Sequence, residues 1–146
     1  MNRLYFLLFA VLMIAVPFTA AAEQSVSGNR FTIHYNALNS DMLTPSVARN
    51  YNITRSKNRG LINISVLEKS MGVVGKPARA DVSVSAINLN GQIKNVDMRE
   101  INDQGAIYYI GEFPISNAET LKFHIKVTPQ GGRPHEIEFD QQFFTD

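Results

Sequence analysis

An all-β antiparallel fold is predicted for residues 23–146 by three observations. Apolar and polar residues alternate with a period of two, turn signals recur between the alternating runs, and helical periodicity is nearly absent. Phe31, Ile33 and Tyr35 alternate with Thr32, His34 and Asn36, which predicts a first strand near 30–37. Thr44 followed by Pro45 reads as a helix cap with proline at the first helical position, so one short helix is expected near 45–51. A second strand spans 61–67, with Ile62, Ile64 and Val66 on one face and Asn63 and Ser65 on the other. A third, near 80–89, puts Val82, Val84 and Ala86 on a common side and runs into Asn90-Gly91. That dipeptide signals a type I′ hairpin, because both central residues of such a turn need positive φ. The fourth, 92–101, alternates less cleanly through Ile93, Val96 and Met98, and the change of parity predicts a bulge. Asn102-Asp103-Gln104-Gly105 makes the next turn, and a fifth strand over 106–113 is ended by Pro114.

The last two strands, 121–128 and 135–143, flank Pro129-Gln130-Gly131-Gly132 and alternate an apolar face with a charged one. A short connection then places Lys126 opposite Glu136 or Glu138, and Lys122 opposite Asp140 or Gln142, pairs that favour this register over a slip. About seven strands, one short helix and no internal repeat describe an antiparallel two-sheet sandwich of immunoglobulin or fibronectin-III type, with a small barrel as the alternative.

The first 22 residues have the three parts of a secretory signal. Arg3 supplies the positive region, an apolar run extends from Leu4 to Val16, and Pro17 precedes the small residues Thr19-Ala20-Ala21-Ala22. Cleavage after Ala22 is expected, because the apolar run falls short of the roughly 20 residues that span a bilayer. What remains is one domain, 23–146, with no second membrane span, and a bacterial periplasm is its expected location. Losing Arg3 brings the 14 cations of the chain level with its 13 acids. A formally neutral domain lacks the basic field that holds nucleic acid. The absence of cysteine excludes disulfides, thiolate zinc sites and thiol nucleophiles.

Chemistry-bearing motifs are few. There is no G-x-S-x-G, H-E-x-x-H, acidic EF-hand loop or phosphate-binding glycine loop, so no catalytic residue and no cofactor is assigned. The histidines, His34, His124 and His135, are the place to seek a metal. Strand parity separates two of them, with His124 outward beside Lys122 and Lys126, and His135 on the inward parity of Ile137 and Phe139. No metal ligand is assigned either, and Met42, Met71 and Met98 form no closely spaced set. The informative stretch is 42–67, which holds no acid but carries Arg49, Arg55, Lys57 and Arg59. With Asn58, these residues are the candidate binding set for an acidic envelope protein or a small anion, since guanidinium groups engage carboxylate or phosphate bidentately. The plainer reading is a solvated connection whose arginines brace strand ends or pair with Asp81, Asp97 or Asp103.

His34-Tyr35-Asn36-Ala37-Leu38-Asn39, Leu43-Thr44-Pro45-Ser46-Val47-Ala48 and the run from Ile53 to Leu67, with Arg55-Ser56-Lys57-Asn58-Arg59 at its centre, resemble DUF4426, a family of exported bacterial proteins of unknown function. The resemblance extends from about residue 25 to the end. It implies a periplasmic β-sandwich and brings no activity, cofactor or catalytic residue. The expected function is a non-catalytic binding or protein-interaction module acting through 49–60, with the connection Leu38 to Gly60 against one end of the sandwich. A metal-binding protein or minor hydrolase centred on the histidines, and a purely structural envelope protein, are the alternatives.

Overall fold

The computed structural model describes residues 23–70 and 73–146; the expected signal segment and Met71 lie outside the described residues. In chain order come β1 (Gln24–Ser27), β2 (Phe31–Asn39), a 3-10 turn (Ser40–Met42), α1 (Pro45–Asn50), β3 (Arg59–Ser70), β4 (Val73–Pro77), β5 (Ala80–Asn88), β6 (Ile93–Val96), β7 (Arg99–Asp103), β8 (Ala106–Pro114), β9 (Glu119–Pro129) and β10 (His135–Phe143). They make two antiparallel sheets. The first runs β1-β2-β3-β8-β7, with β4 continuing beyond β8 along the same edge of β3, and the second runs β10-β9-β5-β6. No helix among the described residues is long and apolar enough to cross a membrane.

The period-two pattern places the core between the sheets. Ile62, Ile64 and Val66 are completely buried there, while Asn63 and Ser65 on the opposite parity are not. Phe123 stacks on Phe139 at 4.9 Å between ring centroids and meets Phe113 edge-on at 5.3 Å, which ties β9 to both β10 and β8. Each such ring contributes about 1.5–3 kcal/mol through burial. The last hairpin takes one of the two expected registers, with Lys126 opposite Glu136, His124 opposite Glu138 and Lys122 opposite Asp140. The single helix also forms as read, capped by Thr44 Oγ1, which accepts the Val47 N–H at 3.4 Å.

Three expectations are corrected. The run 92–101 is not one bulged strand but two, β6 in the second sheet and β7 in the first, and the parity change at Asp97-Met98 marks the crossing. The crossing chain packs on Gly111, where an added Cβ would overlap Val96 and stand 2.6 Å from the Met98 sulfur, so only glycine lets it pass. Asn90-Gly91 does not form a type I′ turn either. Only Gly91 has positive φ, in a three-residue connection between Asn88 and Gln92, while the Asn88 carboxamide accepts the N–H groups of Asn90 and Gln92. The turn with two positive-φ residues is Gln104-Gly105, between β7 and β8. Third, the described residues form ten strands rather than about seven, since the split adds one and β1 and β4 add two. Strand β1 is an edge strand with all four residues exposed, so no alternation announces it.

One charged pair is enclosed by the fold. The Lys94 ammonium lies 2.9 Å from Glu119 Oε1 and also donates to the Pro114 carbonyl, and both side chains are largely buried. Burial alone pushes the Glu119 carboxyl up, but hydrogen bonds from Lys94, the Ser116 N–H and Asn88 outweigh it and hold the group below the usual carboxylate range.

Candidate functional site

The connection between β2 and β3 lies across the outer face of the first sheet, not against one end of the sandwich. The cause is in the strands themselves. Leu61 and Ile110 have the outward parity of β3 and β8, opposite to Ile62, Tyr109 and Phe113, yet both are buried. They need a cover, and Ala48 and Ile53 supply it, with Leu43, Tyr51, Ile101 and Tyr108 at the margin of this second small core.

Hydrogen bonds around the margin fasten the cover. The buried Ser40 hydroxyl faces the carbonyls of Thr54 (2.8 Å) and Ser56 (3.0 Å) and accepts the Ser56 N–H at 3.0 Å. Arg55 donates to the carbonyls of Leu43 (2.7 Å) and Asp41 (3.0 Å). From the sheet, Arg99 donates to the carbonyls of Tyr51 and Asn52, and Glu112 accepts the Thr54 N–H at 3.2 Å. The Tyr51 hydroxyl donates to Asp103 Oδ2 at 2.7 Å. That bond to a carboxylate, and then burial, raise the Tyr51 pKa above its ordinary value.

The five expected binding residues therefore differ in what they do. Arg55 braces carbonyls inside the connection, and Arg59 pairs with Glu112 at 3.3 Å, which is none of the acids considered from the sequence. Asn58 uses its backbone, its N–H bonding Ser56 Oγ and its carbonyl accepting the Ile115 N–H. Arg49 and Lys57 are exposed and, among the described residues, have no side-chain hydrogen bond or ion pair. Parity sets His34 and His124 on the outer faces of different sheets, with Nδ1 atoms 3.3 Å from Glu23 and 2.9 Å from Glu138. His135 is half-buried beside Gly28. Among the described residues no three His, Asp or Glu side chains gather closely enough to hold a metal ion.

A half-open groove of about 270 Å³ remains between α1 and the sheet, lined by Leu43, Val47, Ile101, Tyr108 and Ile110 and by the paired residues Asn36 and Asn63. The Asn63 Oδ1 is buried without a hydrogen-bond partner. None of these wall residues belonged to the expected site. Their signal in the sequence is the loss of strict alternation, as in Leu61-Ile62 and Tyr108-Tyr109-Ile110, which marks strands buried on both faces.

The family model for the domain of unknown function DUF4426 matches residues 25–146. The chain belongs to the DUF4426 family. A crystal structure of a DUF4426 family protein from Pseudomonas aeruginosa PAO1 is 39% identical, with a TM-score of 0.74 over 85% of this chain and 96% of that one. FetP from uropathogenic Escherichia coli strain F11, recombinantly expressed in the periplasm, is 11% identical with a TM-score of 0.59 over 84% of this chain and 94% of that one. A copper-bound FetP variant is 12% identical, with a TM-score of 0.58 over 84% and 95% of the two chains. The FetP likeness is one of fold. No curated protein matches this DUF4426 chain.

Proposed function

We propose that this DUF4426 protein is an exported, non-catalytic interaction module of the bacterial periplasm that binds an acidic envelope protein through the β2–β3 connection. The observation that carries this reading is that Arg49 and Lys57, both exposed and without a side-chain hydrogen bond or ion pair among the described residues, stand on a connection that Arg99 and Glu112 tie to the first sheet. Pinning lowers the ordering cost of binding, because the backbone that presents the cations is already fixed. Asn58 and Arg59 follow Lys57 in the chain, and Arg55 braces the connection from within. The periplasmic location is supported by the signal-like residues 1–22 and by the exported expression of FetP, a protein of the same fold.

The test is capture from envelope extract by the chain 23–146, run beside an Arg49→Glu/Lys57→Glu variant. A protein held by the first, lost by the second and released by salt is the expected result. Equal capture by both, insensitive to salt, overturns the reading and leaves the connection a structural cover.

A further inference from the structure

We infer that Lys94 and Asn88 join through a self-formed isopeptide bond, with Glu119 carrying the protons and ammonia leaving. The chain has no cysteine, so no disulfide ties its strands. The inference is independent of the cations on the β2–β3 connection, which lie outside this cluster.

Register brings the three side chains together. Lys94 on β6 stands opposite Ala86, which is wholly buried, and Asn88 lies two residues further along β5 on the same inward face. Glu119 opens β9 and touches both. Its Oε1 and Oε2 lie 2.9 Å and 3.0 Å from the Lys94 Nζ, and the Asn88 Nδ2 donates to Oε1 at 3.4 Å. Nucleophile and leaving group thus share one carboxylate. The Lys94 and Glu119 side chains are largely buried, which keeps water from competing with the amine for the carbonyl carbon.

The electrophile is prepared as well. Asn88 Oδ1 accepts the backbone N–H groups of Asn90 at 3.1 Å and Gln92 at 2.9 Å. Two fixed donors polarise the carboxamide and hold the oxyanion that forms when its carbon is attacked. The turn accounts for these two bonds, and the ion pair accounts for the contact of Lys94 with Glu119. The contact of the Asn88 nitrogen with the same carboxylate joins them into one reactive cluster.

The step balances. Glu119 takes one proton from the Lys94 ammonium, and the lone pair of the amine forms a bond to Asn88 Cγ while the carbonyl electrons move onto Oδ1. Glu119 then gives its proton to Nδ2 and takes a second from Nζ as the Cγ–Nδ2 bond breaks. The departing ammonia carries off that last proton as ammonium, so no oxidant or outside reactant is consumed. Holding the groups in one cluster makes the reaction internal, and a single event per chain suffices. Glu119 ends as a carboxylate, still bonded by the Ser116 N–H. The product ties β6, a four-residue edge strand, to the end of β5.

Mass spectrometry of the purified chain 23–146 tests this. The expected intact mass is that of the sequence less one ammonia. Trypsin is expected to leave Ala80 to Arg99 as one peptide, because an acylated Lys94 is no longer a cleavage site. Lys94→Arg, which keeps the ion pair, and Glu119→Gln should both retain the full mass. Asn90→Ser should still lose ammonia. That variant removes the Asn90-Gly91 step, whose cyclisation to a succinimide also expels ammonia but leaves Lys94 cleavable. A wild-type chain at its full sequence mass, a light chain that trypsin cuts at Lys94, or a loss that persists in Glu119→Gln or vanishes in Asn90→Ser overturns the inference.

Discussion

On the outer face of the second sheet Lys122, Lys126, Glu136 and Asp140 stand in solvent in pairs of opposite sign. On the outer face of the first, Leu61, Ile101, Tyr108 and Ile110 lie under a connection that the chain builds for them. The first arrangement needs nothing further, because water satisfies the charges and the pairs fix register. The second leaves apolar area that must be covered, and the cover is then fastened by hydrogen bonds within itself and to the sheet. A sheet with two apolar faces thus acquires a third layer, and the space between that layer and the sheet is where this sandwich departs from a simple two-layer packing.

The largest expected effects separate the two cores. Phe123→Ala should cost about 3–5 kcal/mol, since the ring is wholly buried and contacts three other phenylalanines. Ile110→Ala should cost about 2 kcal/mol, at the low end for such truncations, because its neighbours already border a groove. Urea unfolding measures both, and equal losses would mean that the covered face is packed as tightly as the inner one. Ser40→Ala should cost about 1–3 kcal/mol by leaving the Ser56 N–H and two carbonyls unmet. Its signature is local: amide exchange at Ala48 and Ile53 should quicken while that of Phe123 does not.

Titration distinguishes the same regions from opposite ends of the pH scale. Glu119 has a folded pKa below its unfolded one, so its stabilisation is complete at neutral pH and is lost as pH falls through the depressed folded value. Unfolding followed from neutral pH to about pH 3 should show this loss, reduced in Glu119→Gln. Tyr51 has a raised folded pKa, so its contribution is complete below the ordinary tyrosine value and is lost as pH rises through the raised one. Alkaline loosening of the cover, read by exchange at Ile53 and much reduced in Tyr51→Phe, is the expected outcome.

These contrasts explain what could be read from the sequence. The last hairpin was legible to within a two-residue slip because each of its strands has one wet face, and parity then decides burial and limits the register to even shifts. The crossing at Asp97-Met98 was legible only as broken parity, since a bulge and a change of sheet disturb alternation in the same way until the partner strands are known. Asn90-Gly91 carries the composition of a type I′ turn, but the Asn88 carboxamide holds the N–H groups of Asn90 and Gln92 and favours a longer connection. The basic stretch 49–59 was visible as a composition anomaly. That Arg55 and Arg59 would be engaged at home was not, because their partners, two backbone carbonyls and Glu112, meet them only through tertiary packing. The groove was the least legible feature, being a property of the space between a loop and a sheet.

The smallest effect tests the bare face. Lys122→Glu places a negative charge opposite Asp140 and should destabilise the hairpin by about 0.2–1 kcal/mol. Adding Asp140→Lys restores an opposite-sign pair, and the double variant should recover most of the loss, the recovery being the coupling between the two positions. Both changes should shrink in high salt, because these side chains are exposed and their interaction is screened. A loss that salt does not diminish, or that the second change does not repair, would mean that Lys122 acts through its aliphatic stem on the sheet surface. The outer face of the second sheet would then also depend on apolar cover, and the contrast between the two faces would be one of degree.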